Sequence, residues 1–224
     1  MKIQLVIFDL DGTLLDSVED IAASTNYALQ QMGHPTHPVS SYKRFVGNGI
    51  AKLFERALPE EKRTSENIAR MREYFTARYN DHMTDATRPY AGLPELLSEL
   101  HQKGIKLAVA SNKYHSATER LVAHYFPDLP FVAVLGHRIG QPTKPDPSII
   151  QEILALSGIA ASQTLYVGDS GVDMQTAINS NTIACGVSWG LRPRSELESF
   201  HPAFLVDTTA ELRSVLLQTK PALI

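Results

Sequence analysis

From about residue 92 to the end of the chain, short apolar runs of strand length alternate with longer segments of helical periodicity, and few folds accept that alternation. The runs fall at 106–110, 131–135, 164–167, 182–187 and 204–206, and the helical segments at 116–125, 147–157, 172–179 and 210–217. The runs are short and apolar on both faces, which suits strands of a sheet covered on both sides. Strands joined by helices form a parallel sheet, because a parallel connection must cross over and a helix does so compactly. The expected fold class is therefore α/β, a doubly wound parallel sheet of Rossmann type with right-handed crossovers. A further apolar run at 3–8 supplies its first strand, far upstream of the others.

Between that first strand and the rest, residues 17–81 contain no convincing strand. Ser17 is expected to cap a helix over 17–32, with Glu19 and Asp20 in its first turn and Gly33 after its end. Further helices are expected at 40–46, at 50–57 ahead of Leu58-Pro59, and at 65–82. The reading is a helical cap, residues 16–82, inserted into an α/β core made of 1–15 and 83–224. A chain of 224 residues is long enough for one sizeable core with such a module. Hinges are expected near 16–17 and 82–90, where the chain crosses between the two.

With 43% hydrophobic and 20% charged residues, the composition is that of an ordinary globular protein. A formal charge of −3 with dispersed basic residues offers no attraction for nucleic acid or an anionic membrane, so neither is expected as a partner. No apolar stretch reaches membrane-spanning length and no signal-like segment precedes the first strand, which makes the cytoplasm the expected location. The single cysteine, Cys185, excludes an intramolecular disulfide and sits in an apolar run, as a buried structural thiol would. The sequence sets no oligomeric state.

Directly behind the 3–8 run comes Asp9-Leu10-Asp11-Gly12-Thr13. A carboxylate left unpaired at the edge of an apolar core is costly, so a compensating group is expected. Side-chain direction repeats every second residue, so Asp9 and Asp11 can face one cavity. Gly12 permits a sharp turn, and Thr13 offers a hydroxyl beside the pair. Hard oxygen ligands on a tight loop suit Mg²⁺, and one carboxylate can attack phosphorus while its neighbour moves a proton. The structural alternative is a plain Asp11-Gly12 turn with Asp9 as its cap.

In open parallel sheets, ligands gather beyond the carboxyl ends of the strands. There the sequence places Ser111-Asn112-Lys113, Lys144-Pro145-Asp146-Pro147 and Gly168-Asp169-Ser170-Gly171-Val172-Asp173. Each has a structural alternative. Ser111 or Asn112 can cap a helix, Lys144 can be a solvated lysine ahead of a helix capped by Asp146, Asp169 can be an N-cap and Asp173 a first-turn charge. As a set they bring a hydroxyl, a lysine and four carboxylates, the inventory that phosphoryl transfer needs.

Asp9-Leu10-Asp11-Gly12-Thr13, Ser111-Asn112, Lys144-Pro145 and Gly168-Asp169-x-x-x-Asp173 resemble the four ordered motifs of the haloacid dehalogenase-like (HAD) phosphatase superfamily. The resemblance covers essentially the whole chain, and the helical insert resembles the cap of the first subclass. Within it, Leu14-Leu15-Asp16-Ser17, Phe45-Val46-Gly47-Asn48-Gly49, Arg56-Ala57-Leu58 and Ser111-Asn112-Lys113 resemble the phosphoglycolate phosphatases. The resemblance implies an HAD-like fold, with Asp9 as nucleophile forming an aspartyl-phosphate and Asp11 as acid and then base. It implies Mg²⁺ held by the Asp9 carboxylate, the Asp11 backbone carbonyl and Asp169, with Asp173 and Thr13 outside the first ligands. Ser111 and Lys144 would bind the transferring phosphoryl group, with the amides of Leu10 and Asn112 as further donors.

The implied activity is Mg²⁺-dependent hydrolysis of a small phosphorylated metabolite, 2-phosphoglycolate first among candidates. Inorganic pyrophosphate, sugar phosphates and a phosphoglucomutase-like isomerisation share the chemistry. From other classes, a phospho-acceptor signalling module and a non-catalytic binding relative are the alternatives; the length, the insert and Asp11 weigh against the first, and the retained motifs against the second. In the cap, Gly47-Asn48-Gly49 is the most site-like segment, with Lys43 or Arg44 as partners for a substrate carboxylate. An ordinary interhelical turn with solvated basic residues is the alternative there. The eight histidines show no ligand spacing, and Trp189 reads as packing.

Overall fold

The computed structural model describes residues 2–217. β1 (Leu5–Phe8) leads through a turn to a short strand, β2 (Leu15–Asp16), and then to α1 (Val18–Gln31), α2 (Val39–Phe45), α3 (Ile50–Ala57) and α4 (Ser65–His82). The chain returns through β3 (Arg88–Pro89) and continues as α5 (Leu93–Gln102), β4 (Lys106–Tyr114), α6 (His115–Tyr125), β5 (Phe131–His137) and α7 (Ser148–Ser157). It ends with β6 (Thr164–Gly168), α8 (Gly171–Asn179), β7 (Ile183–Val187), α9 (Arg194–Glu198), β8 (Phe204–Val206) and α10 (Thr209–Leu217).

Six strands form one parallel sheet in the order β5-β4-β1-β6-β7-β8. The chain winds outward from β1 first through β4 and β5, then the other way through β6, β7 and β8, so the α/β class and double winding are as the sequence predicts. The reversal opens a crevice at the carboxyl end of β1, between β4 and β6, where sheets of this kind bind ligands. Every residue of β1 is fully buried, and its alternation explains why. Leu5 and Ile7 pack in one layer with Ala108, Ala110 and Tyr166, while Val6 and Phe8 pack in the other with Val109 and Val167.

The four helices after β2 bury an apolar face of their own. Phe75 stacks on Tyr79 with ring centroids 5.0 Å apart and meets Phe54 edge-on at 5.3 Å. Thr64 caps α4 by accepting the Asn67 amide at 3.2 Å. The apolar cluster of these helices runs without a break into the layer under the sheet.

Several local expectations give way to other interactions. Ser17 makes no side-chain cap for α1; its Oγ donates to Asp11 Oδ1 at 2.5 Å instead. β2 and β3 were not expected, and they pair antiparallel, Leu15 with Pro89 and Asp16 with Arg88, where the chain leaves and re-enters the core. Asp20 binds that re-entry: its buried carboxylate accepts the amides of Ala86 and Thr87 and the Thr87 hydroxyl, at 2.6 to 3.1 Å. β4 continues to Tyr114, through an irregular stretch after Ala110, so neither Ser111 nor Asn112 caps α6.

Candidate active site

The turn after β1 is a knot of backbone bonds, with the amides of Thr13, Leu14 and Leu15 all donating to the Leu10 carbonyl. Gly12 adopts φ +88°, and a Cβ there would stand 2.3 Å from Asp169 Oδ2, so only glycine fits. The turn delivers Asp9 and Asp11 into the crevice. Asp9 is 8% exposed, and its Oδ1 accepts Lys144 Nζ at 2.8 Å. Lys144 is buried, not solvated, and its Nζ also lies 2.8 Å from Asp173 Oδ1, 2.8 Å from the Tyr166 hydroxyl and 3.0 Å from the Ala110 carbonyl.

Asn112 positions the Lys144 backbone from the neighbouring loop. Its Oδ1 accepts the Lys144 amide at 2.8 Å, and its Nδ2 donates to the Lys144 carbonyl at 3.1 Å and to the Gly47 carbonyl at 3.0 Å. Ser111 is buried beside it, with Oγ accepting the Lys113 amide at 3.2 Å and, among the described residues, donating to none. Ser170, not Asp169, caps α8, in a reciprocal box with Asp173. Both Asp173 oxygens are therefore engaged, Oδ1 by Lys144 and Tyr166 and Oδ2 by the amide and hydroxyl of Ser170. Asp169 accepts the Leu191 amide on Oδ2 at 2.6 Å, while among the described residues its Oδ1 has only Thr13 Oγ1 at 3.5 Å.

Oxygens of Asp9, Asp169 and Asp173 approach within 4.8 Å of one another, all buried. Burial pushes the Asp9 carboxyl up to about 7; Lys144 opposes that, and the Asp173 and Asp11 charges add to it. Burial, then Asp173 and Asp9, likewise hold Asp169 well above the usual carboxylate range. Burial pulls the Lys144 ammonium down, but Asp173, Asp9 and Tyr166 together outweigh it and raise it. Three carboxylates thus crowd a desolvated place where one ammonium, Lys144, bonds two of them, a deficit of positive charge that a hard divalent cation fits. The oxygens with capacity to give are Asp9 Oδ2, Asp169 Oδ1 and the Asp11 carbonyl, which accept no short hydrogen bond among the described residues. Asp173 has none to give, so it fits a positioning role.

A cavity partly open to solvent lies over this cluster. Asp9, Asp11, Ser111 and Asp169 form its base, and Val46, Ile50, Leu53 and Phe75 give an apolar wall from the helical insertion. Gly47 and Gly49 line it too, at φ +117° and +83°. Asn48 does not line it and accepts Arg56 Nη2 at 2.7 Å. Arg44 is exposed and outside the lining, so the structure does not bring it to the site.

Three groups at the site have no role in the sequence reading. Lys113 donates to both Asp11 oxygens at 3.0 Å and lies 4.7 Å from the centre of the Tyr79 ring. It shares a strand face with Ser111 two residues before, which is a legible signal. Tyr166 reads as an ordinary core aromatic. Arg192, in the loop after β7, donates to the Lys43 carbonyl and, at 2.7 Å, to the Val46 carbonyl, and no motif marks it.

Residues 6–187 match the family model described as haloacid dehalogenase-like hydrolase. The chain is 32% identical to a phosphoglycolate phosphatase of Vibrio parahaemolyticus, over 96% of each protein. It is 33% identical to one of Vibrio vulnificus, with 96% of this chain and 97% of that one covered. Among solved structures, the crystal structure of a predicted phosphoglycolate phosphatase from Haemophilus somnus superposes with a TM-score of 0.89 at 26% identity, covering 96% of this chain and 98% of that one.

Proposed function

The chain belongs to the haloacid dehalogenase-like hydrolase family, and from that premise we propose that this phosphomonoester hydrolase acts on 2-phosphoglycolate by way of an aspartyl-phosphate on Asp9. The observation that carries the reading is Asp9 itself. One of its oxygens is held by Lys144 and the other has no hydrogen-bond partner among the described residues, at the base of a cavity that Asp11 also lines. In the first half-reaction an Asp9 oxygen bonds to phosphorus, the bond to the leaving oxygen breaks, and Asp11 gives that oxygen its proton. In the second, Asp11 takes a proton from water, the water oxygen bonds to phosphorus, and the Asp9–phosphorus bond breaks to release phosphate.

The Ser111 hydroxyl, the Lys144 ammonium and the Leu10 and Asn112 amides are the donors for the phosphoryl oxygens. Asp9, Asp169 and the Asp11 carbonyl would hold Mg²⁺, whose charge offsets the crowded carboxylates and the phosphate. Asp173 positions Lys144 from outside that set, and Thr13 does the same for Asp169. Residues 16–82 act as a cap over the core of 1–15 and 83–224, opening at the β2–β3 ribbon to admit substrate and closing to exclude water.

The apolar wall supports a small substrate with few hydroxyls over a sugar phosphate, whose hydroxyls would meet Val46, Ile50, Leu53 and Phe75 without hydrogen-bond partners. A phosphate-release screen over small phosphomonoesters, pyrophosphate and sugar phosphates, with and without Mg²⁺, tests the reading. Asp9→Asn should abolish turnover while leaving the circular dichroism spectrum intact. Persistent Mg²⁺-dependent turnover in that variant would remove Asp9 as nucleophile.

A further inference from the structure

We propose that Arg192 is the residue by which this site selects phosphomonoesters carrying a second anionic group, a carboxylate set against its guanidinium; the inference rests on the phosphatase reading above. The cations at the cavity differ in what already neutralises them. Lys144, beneath the base, is held by Asp9 and Asp173, and Lys113 is held by both oxygens of Asp11. Arg192 lines the cavity, its side chain is 12% exposed, and the groups it binds are the neutral carbonyls of Lys43 and Val46. Two carboxylates face it without a hydrogen bond: Glu196 stands 3.8 Å from Nε, and Asp169 feels its charge while bonding the Leu191 amide.

Those carbonyls occupy two of five guanidinium N–H donors, so donors remain for a substrate anion. A desolvated guanidinium without a full counter-charge attracts a carboxylate strongly and can take it in two parallel bonds. The apolar wall offers such a group nothing. The position is also fixed, because the preceding residue, Leu191, donates its amide to Asp169 at 2.6 Å. Arg192 is thus one residue from a group at the reacting end, on a backbone held at that group. Arg44, which the sequence suggested for this task, is exposed outside the cavity.

The test compares kcat/KM for 2-phosphoglycolate with that for 2-hydroxyethyl phosphate, in which a hydroxymethyl group replaces the carboxylate, using wild type, R192A and R192K with Mg²⁺. Wild type should prefer the carboxylated ester. R192A should lower that preference by about 10- to 100-fold, the usual weight of a charge-assisted contact, and R192K should fall between. Equal losses on both esters would show that Arg192 only ties the helical insertion to the core, and would overturn the proposal. So would a wild type indifferent to the carboxylate. A wild type that leaves both esters and p-nitrophenyl phosphate intact would instead sink the phosphatase reading itself. Thermal melts of both variants establish that each is folded, and R192K keeps the charge should R192A be unstable.

Discussion

Lys144 meets four acceptors with three protons, so its ammonium is shared among Asp9, Asp173, Tyr166 and the Ala110 carbonyl. Lys144→Ala would leave two buried carboxylates facing each other and should cost about 3–5 kcal/mol in urea denaturation, besides abolishing turnover. Tyr166→Phe removes one hydroxyl from that group and should cost about 1–2 kcal/mol by the same measurement. The carboxylate excess gives a third expectation. Mg²⁺ should raise the melting temperature of the wild type by binding the folded state alone, with about 2.7 kcal/mol gained at a hundredfold excess over Kd. Asp169→Asn should remove most of that gain, and an unchanged Mg²⁺ response would discard Asp169 as a ligand. At this scale the sequence was most legible where residues sit at strand ends, since Asp9, Asp11, Ser111, Lys144, Asp169 and Asp173 all gather at one crevice. Tyr166 was hidden because a buried tyrosine in a strand has an ordinary apolar role, and only the third dimension brings its hydroxyl to Lys144.

Strands and most helices whose apolar pattern repeats were foreseen, but α5, α9 and the elements of two residues were not. β2 and β3 are too short to show a period, yet they form the ribbon through which the helical insertion joins the core. Ser17 and Asp20 both carried the signature of a helix start, a hydroxyl at the cap and an acid in the first turn. Each is drawn instead to a distant partner, Ser17 to Asp11 and Asp20 to Ala86 and Thr87. Local sequence cannot tell these outcomes apart, because the competing acceptor or donor is supplied by the fold. Asp20→Ala leaves the buried Thr87 amide and hydroxyl and the half-buried Ala86 amide without their acceptor and should cost about 1–3 kcal/mol. Amide hydrogen exchange at Ala86 and Thr87 should quicken with it, and unchanged protection there would show that the ribbon holds without Asp20.

Across the whole molecule the alternation of apolar runs was decisive, because a sheet buried on both faces leaves few ways to connect its strands. The strand order was not legible, since every run is apolar and none names its neighbour. Cys185 reports on the integrity of this sheet: burial in β7 pushes its thiol from 9.0 up to about 12. At pH 8 the folded thiol keeps its proton and should resist iodoacetamide, while the unfolded chain should react at the rate of a free cysteine. Above the ordinary thiol range the unfolded chain loses a proton that the folded one retains, so stability should fall as pH rises from about 9 towards 12. Rapid labelling of the native protein at pH 8 would contradict this burial. The central place of β1 has a consequence for synthesis. A ribosome makes the amino end first, yet the two partners of β1 begin at Lys106 and Thr164. At roughly 5–20 residues per second, the second partner emerges about 8–32 s after β1, and until then the strand that leads into Asp9 keeps an open apolar edge. That interval is the window in which a nascent-chain chaperone has most to protect.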